Sequence, residues 1–288
     1  MEHSEAFADI TTPSKSETIR RVAGDLEITD LIPEYPKDEV PVILLSGWGE
    51  TPITHKDSLQ TIKKTGRRAI AIRTPRLGGV KSEDGYPKAE YNKARALIDT
   101  LNKKEIREVD IIAHSEGSIP AIIAAELFPE RIRSIIFVEP AGLMDKDSRV
   151  KLALRFCTML AKDAGRFLQG TKAEKANLFR ASGEALKYFA SNPKRAIEEA
   201  GTIASADIYN LLEKIEELGV KVSIIQSTED TIFPMDKVLK TAKEKRRVAT
   251  IGFYSVKGDH REISVHPEKY TALAVNALED LNNSANNP

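Results

Sequence analysis

Short apolar runs alternate with amphipathic segments along most of the chain. SETIRRV and GDLEITDLI alternate apolar and polar residues, which predicts two short strands in an antiparallel hairpin around Gly24. VPVILLSGWG is a continuous apolar run ending in small residues, the pattern of a strand buried on both faces. HKDSLQTIKKTG has helical spacing and a glycine stop. RRAIAIRTPRLGG reads as a further buried strand and loop, and PKAEYNKARALIDTLNKK as an amphipathic helix with a basic last turn. EVDIIAHSEGS predicts a strand running into a sharp turn. SIPAIIAAELFPE predicts a buried helix ending before Pro129, and RSIIFVEPAG another buried strand.

Strands alternating with helices imply βαβ units, hence a mostly parallel sheet with helices on both faces. The alternation stops after Gly142. SRVKLALRFCTMLAKDAGRFL, KAEKANLFRASGEALKYFA and PKRAIEEAGTIAS are all helical in period. Alternation resumes with YNLLEKIEELG (helix), VKVSIIQSTED (strand), DKVLKTAKEKRR (helix), ATIGFYSVKGDH (strand) and HPEKYTALAVNALEDLNN (helix). The expected organisation is an α/β core over residues 18–141, a helical lid insert over 142–206, and the rest of the core over 207–283. A structureless loop of the insert's length would be unusual. Residues 1–17 are polar and expected to be loose.

Lys plus Arg and Asp plus Glu are equal at 43 each, so the formal net charge is zero over 288 residues. A protein held on nucleic acid by phosphate neutralisation carries a basic excess, which is missing here. An apolar content of 41% argues against a disordered chain. The single cysteine, Cys157, forbids an intramolecular disulfide. The N-terminus lacks the basic start and apolar run of a signal peptide. No apolar stretch approaches the roughly 18 residues that span a bilayer. The expectation is a cytoplasmic protein with a small-molecule substrate and neither nucleic acid nor membrane as partner; a homodimer stays open.

The chemistry centres on Ala113-His114-Ser115-Glu116-Gly117, between a predicted strand and a predicted helix. A small-x-Ser-x-small sequence in that setting is a nucleophile elbow. The turn projects the Ser115 hydroxyl from the C-terminal edge of the sheet, and the residues two before and two after must be small. A structural serine, or an elbow kept in a non-catalytic relative, is the competing reading.

A serine hydroxyl needs a base. Of five histidines, His3 lies in the tail and His55 reads as a surface or capping residue. His114 adjoins Ser115 and should point the other way. His266 reads as a helix-start residue. His260 follows the last predicted strand at the edge where Ser115 lies. The acid that orients it is Asp230, after VKVSIIQS, with Glu139 at the end of SIIFVE as the alternative. Glu229 should face elsewhere. Oxyanion donors are expected from the backbone N–H groups of Glu116 and of the Ser46-Gly47-Trp48-Gly49 turn, Trp48 first, then Gly49 or Glu50. Trp48 is also either a pocket wall or a core aromatic.

LLSGWG, AHSEGS, AAELFPERIRSIIFVEPAG, STEDTIFP and GDHREISVHPE together resemble the α/β-hydrolase fold superfamily, in its lid-bearing branch of small esterases and C–C bond hydrolases. The resemblance covers about residues 18–283. It implies an eight-stranded sheet, a Ser115-Asp230-His260 triad, no cofactor and no metal. Two departures stand out. Ser46-Gly47 replaces the frequent His-Gly of the oxyanion turn, and Arg73-Thr74-Pro75-Arg76 replaces a loop that often begins with aspartate. Arg73 and Arg76 offer a charge-assisted contact to a substrate carboxylate, against the plainer reading of a solvated loop. A serine at the elbow argues against haloalkane dehalogenase and epoxide hydrolase chemistry. The insert's Leu152, Leu154, Phe156, Met159, Leu160, Phe167, Leu168, Phe179 and Phe189 form a lid core, and some of them could roof an apolar pocket. The reaction expected first is hydrolysis of a small or medium carboxylic ester. Cleavage of a diketone-like C–C bond comes second, and a non-catalytic ligand-binding member of the same fold is the reading from another class.

Overall fold

The computed structural model describes residues 15–19, 26–74, 85–144, 146–245 and 252–283. Gly24, Arg76 and His3, each given a place by the sequence pattern, lie outside the described residues. The sheet is built from β1 (Lys15–Ile19), β2 (Leu26–Leu31), β3 (Asp38–Leu45), β4 (Arg67–Arg73), β5 (Val109–His114), β6 (Ile132–Val138), β7 (Lys221–Ser227) and β8 (Gly252–Val256). Its order is β1-β2-β4-β3-β5-β6-β7-β8, eight strands as expected. β1 pairs antiparallel with β2, and β2 antiparallel with β4; every other pairing is parallel.

The apolar runs are continuous because both sheet faces are covered. Val42 and Leu44 of β3, Ile112 of β5 and Ile136 of β6 pack on one face. They meet Leu59 and Ile62 of α1 (Lys56–Lys64) and Val275 and Leu278 of α10 (Pro267–Asn283). The intervening Ile43, Ile111 and Ile135 face the other way. They pack with Leu97 of α2 (Lys88–Lys103), Ile122 of α3 (Ser118–Leu127) and Leu212 of α7 (Tyr209–Glu217). Side chains alternate across a strand, so neighbours in one run belong to two cores.

At the N-terminal edge of the sheet, charges are clasped. Asp110 accepts from Arg67 Nη2 at 2.6 Å and from Arg133 Nε at 2.9 Å, and Arg133 Nη2 also reaches Asp38 at 2.7 Å. The C-terminal edge is thereby left to carry other chemistry, as is usual for open parallel sheets.

Between β6 and β7 the described residues form helices and no strand. These are α4 (Arg149–Gln169), α5 (Lys172–Ser191) and α6 (Pro193–Ser205), followed by α7. The starts of α4, α5 and α6 are capped by side chains. Ser148 accepts from Lys151 N at 3.2 Å, Thr171 and Glu174 form a reciprocal capping box, and Asn192 accepts from Arg195 N at 3.2 Å ahead of Pro193. Helix α8 (Met235–Lys245) follows β7, and the short α9 (Glu262–Val265) separates β8 from α10. Cys157 is exposed on α4. Among the described residues no helix is long and apolar enough to cross a membrane.

Candidate active site

Strand β5 ends at His114, and the chain turns at once into a short helical turn, Ser115–Gly117, that runs into α3. Ser115 has a positive φ of 53°. That conformation is strained for a residue with a Cβ, and such strain is characteristic of functional turns. It is held in place: Ser118 Oγ donates to the Ser115 carbonyl at 2.7 Å and to the Ala141 carbonyl at 3.1 Å, and Ala141 N donates to the Ser115 carbonyl at 3.1 Å. A Cβ on Gly117 would come 2.6 Å from the Leu45 carbonyl oxygen, which explains the small residue there.

Three side chains from three strand ends meet in line. Ser115 Oγ is 2.9 Å from His260 Nε2, and His260 Nδ1 is 3.0 Å from Asp230 Oδ2. With its proton on Nδ1 toward Asp230, the imidazole is left to accept the serine proton at Nε2. Asp230 is itself fixed. Its Oδ1 accepts from the amides of Ile232 (2.7 Å) and Phe233 (2.8 Å), and its Oδ2 accepts from Gln226 Nε2 (3.0 Å). Burial pulls the His260 imidazole down, but the charge and hydrogen bond of Asp230 outweigh it and raise His260 above the ordinary histidine value.

A second buried network lies behind this line. His114 Nδ1 is 2.8 Å from Glu50 Oε2, and His114 Nε2 is 3.2 Å from Glu139 Oε2 and 3.0 Å from the His260 carbonyl. Glu50 also accepts from His55 Nε2 at 2.9 Å, from Gly47 N at 2.9 Å and from Ser264 Oγ at 2.8 Å. Burial alone would raise the Glu50 carboxyl, yet His114 and His55 hold it well below the usual carboxylate range. Burial would lower His114, yet Glu50 and Glu139 hold it well above the histidine range. Glu139 is pushed up to about 7, chiefly by burial and partly by Asp230, against the pull of His114 and His260.

A third cluster flanks the elbow. Lys93 of α2 is in contact with Glu116, 2.9 Å from Glu199 and 3.6 Å from Glu90. Arg195 Nε donates to Glu199 at 2.7 Å, and Tyr188 OH donates to the same carboxylate at 2.7 Å. Burial and the neighbouring Glu116 raise the Glu90 carboxyl well above the ordinary value. Carboxylates and imidazoles converge closely in Glu50/His55/His114, Glu139/Asp230/His260 and Glu90/Glu116/Glu199. Within these sets most polar atoms bond to one another or to Lys93, whereas both Glu90 carboxylate oxygens and His55 Nδ1 make no hydrogen bond.

Above Ser115 lies a cavity of about 280 Å³, walled by Trp48, Phe156, Phe189, Met159, Leu152 and Phe233. The Trp48 ring is 4.7 Å from Phe189 and 5.2 Å from Phe156, centroid to centroid. Four residues of α4 tie this roof to the loops below. Arg155 Nη1 donates to the Ile232 carbonyl at 3.2 Å, and Lys162 Nζ lies 2.8 Å from Asp259. Asp163 accepts from Arg261 Nη1 at 2.6 Å, and Arg166 pairs with Glu262. Asp259 in turn accepts from the amides of His260 (2.8 Å) and Thr231 (2.9 Å), joining the loop of His260 to the loop of Asp230.

The structure brings Ser115, Asp230 and His260 together, with the Trp48 side chain on the cavity wall and Glu116 next to Ser115. Glu229 is exposed, and His266 sits half-exposed before α10, 3.2 Å from Glu174. Two expectations need correction, those for His55 and Arg73, and the one for His114 is extended. His55 is fully buried and bonded to Glu50, because the turn before α1 folds inward over the β3 loop. His114 does point away from the serine hydroxyl, but it packs against the underside of His260, ring centroids 5.2 Å apart. Arg73 pairs with Glu27 at 3.3 Å and borders a polar recess of about 60 Å³ with Lys93 and Arg195, which adjoins the cavity over Ser115 at Gly47 and Glu50. Of the insert's apolar residues, Leu160 joins the cavity wall, whereas Leu154, Phe167, Leu168 and Phe179 are exposed. The Glu50-His55-His114 network gave no periodic signal in the sequence. Asp163 did: it falls on the stripe Leu152, Phe156, Met159, where a charge calls for a buried partner.

No family model matches the chain, and no curated protein sequence does. Solved structures do resemble it. A carboxylesterase structure from the ammonia-oxidizing thaumarchaeon Nitrososphaera gargenis superposes with a TM-score of 0.67 at 18% identity, over 93% of this chain and 100% of the other. A serine hydrolase from Cycloclasticus zankles gives 0.63 at 13% identity, over 93% and 99%. A thermophilic esterase from Thermogutta terrifontis, solved with malate bound, gives 0.61 at 17% identity, over 93% and 99%. The chain has the α/β-hydrolase fold, with its sheet open at both edges.

Proposed function

We propose that the protein is a serine hydrolase of small or medium-sized carboxylic esters. The observation that carries this reading is the Ser115-His260-Asp230 line, at 2.9 and 3.0 Å, opening on an apolar cavity. Ser115 Oγ attacks the ester carbonyl carbon while His260 Nε2 takes its proton. The imidazolium then gives that proton to the departing alkoxide, leaving an acyl-enzyme. Water attacks next, again through His260, and frees the acid. The backbone N–H groups of Glu116 and Trp48 are the proposed oxyanion donors, supported by their places beside the nucleophile and in the β3 turn. Helices α4–α6 are proposed to act as the lid, residues 142–206, since α4 and α5 supply much of the cavity wall. A cavity of about 280 Å³ is at the small end of ligand sites. The chain's zero net charge suits an uncharged substrate that needs no long-range steering.

The test is labelling with a fluorophosphonate probe together with turnover of p-nitrophenyl esters from acetate to octanoate. Wild type is expected to label at Ser115 and to hydrolyse the shorter esters. Ser115→Ala should lose both, by about 10⁴-fold or more in kcat. Folded wild-type protein that neither labels nor turns over would overturn the reading.

A further inference from the structure

We infer that Glu139 is a positioning residue for His260: a second carboxylate that shares the imidazolium's charge with Asp230 and can hold the Nδ1 proton when Asp230 does not. This rests on the serine-hydrolase reading above. β6 and β7 are adjacent, with Val138 opposite Ile225, so the residues after each strand emerge side by side. Asp230 Oδ2 is 3.0 Å from His260 Nδ1, and Glu139 Oε2 is 3.9 Å from the same nitrogen. The longer distance is beyond a hydrogen bond but well within the reach of a charge in a buried site.

Three features show that Glu139 is held there by construction. Its backbone adopts a positive φ of 51°, like the nucleophile, which a glutamate enters only at a cost. Its amide is pinned to the Ile225 carbonyl at 2.8 Å. Its carboxyl is gripped from both sides, Oε1 by Ser227 Oγ and Oε2 by His114 Nε2 at 3.2 Å. A carboxyl that is 1% exposed must be compensated. The compensating group, His114, also donates toward the His260 carbonyl at 3.0 Å, so one ring registers Glu139 against the catalytic loop. On its other side His114 meets Glu50, which also holds His55. Both ring nitrogens of His114 face acceptors, the arrangement that suits an imidazolium. The titratable groups around Glu139 are therefore His114 from β5, Asp230 after β7 and His260 after β8, with Glu50 and His55 one contact further out.

The chemical consequence concerns the charge that appears during attack. When His260 takes the Ser115 proton, a positive charge forms beside two carboxylates instead of one. Ionised Glu139 lowers the energy of that state. Its carboxyl is pushed up to about 7, so its charge switches on near neutral pH. If Asp230 loses its charge, a shift of the Glu139 carboxyl by about an ångström would bring it into hydrogen-bond range of Nδ1.

The experiment uses the full chain and compares Glu139→Gln, Asp230→Asn, the double variant and Ser115→Ala. The readouts are kcat and KM for a p-nitrophenyl ester across the pH range, and the His260 imidazole titration by NMR. Glu139→Gln should lower kcat about tenfold with KM nearly unchanged. It should also move the acid limb of the profile, and the His260 titration, down by about half a pH unit or more. Glu139→Asp should recover most of both. Asp230→Asn should stay at least about 100-fold above Ser115→Ala, and the double variant should fall to the Ser115→Ala level. An unmoved His260 titration in folded Glu139→Gln, or Asp230→Asn as inactive as Ser115→Ala, would overturn the inference. Wild type lacking turnover would overturn the hydrolase reading instead, and the NMR titration would still decide the role of Glu139.

Discussion

Asp163 of α4 lies 2.6 Å from the guanidinium of Arg261, the residue that follows His260, and both side chains are buried. Lys162 and Arg166 grip Asp259 and Glu262 on either side. The roof of the cavity is thus bonded to the loop that carries His260, the proposed base. Burial raises the Asp163 carboxyl even against the Arg261 charge.

Asp163→Ala leaves Arg261 buried without its partner. The expected cost is about 3–5 kcal/mol of stability. Because Arg261 adjoins His260, kcat should fall more than KM rises. Denaturant midpoints and steady-state kinetics check this. A variant as stable as wild type would mean that the pair is solvated and without structural weight.

His114 should show its charge through pH. Its value in the folded protein is raised above the ordinary 6.5, so its stabilisation is complete below 6.5 and lost as pH rises through the folded value. Glu50, depressed below 4.5, contributes above 4.5 and is lost as pH falls through its folded value. His114→Gln should therefore be most destabilised relative to wild type between these limits, by about 3 kcal/mol or more. The gap should close on the alkaline side. Denaturation of both proteins at pH 5.5 and in alkaline buffer, values chosen from these directions, checks it. A gap that does not vary with pH would count against a charged His114.

How much of this was legible in the sequence depends on whether the signal was local. The strands were legible because Ile43 and Leu44, or Ile135 and Ile136, serve opposite cores and leave no polar position between them. The elbow was legible because Gly117 sits under the Leu45 carbonyl and tolerates no larger residue. Asp230 and His260 were legible by position, Asp230 just past the buried β7 and His260 just past the half-buried β8 at the sheet edge. Glu50, His55, His114 and Glu139 were not legible as a group. They come from three separated stretches of the chain, and nothing in their neighbours' periodicity marks one ionisable residue as another's partner. His55 looked like a helix start because the helix does begin there; what the pattern omitted was that the turn is buried.

Gly117→Ala tests the elbow packing. The added Cβ would fall 2.6 Å from the Leu45 oxygen and 2.9 Å from the Ser46 oxygen, both backbone atoms with little freedom to move. A loss of about 1–3 kcal/mol is expected, with a larger proportional loss of activity because Ser115 and the β3 turn move apart. Thermal melts beside fluorophosphonate labelling rates check it. Unchanged labelling would show that the elbow can relax.

If the protein is the ester hydrolase proposed above, its aromatic wall should set the size of the acyl group. Phe189 lies against Trp48 and borders the cavity. Phe189→Ala should lengthen the pocket and shift the preferred p-nitrophenyl ester by about two to four carbons, at a stability cost of about 2–3 kcal/mol for this half-buried ring. The chain-length series checks it. An unshifted optimum would place the acyl group elsewhere.

The grip of α4 on the loops bearing Asp230 and His260 also bears on engineering. Exchanging the helices between β6 and β7 for a foreign cassette, a common route to new substrate range, would remove the counter-charges of Asp259, Arg261 and Glu262 in one cut. A graft that matched the cavity's shape alone would inherit a slack base loop. A successful one must carry over the Arg155, Lys162, Asp163 and Arg166 positions along with its new wall. Substrate range in this scaffold is therefore better varied residue by residue on the inner face than by wholesale replacement.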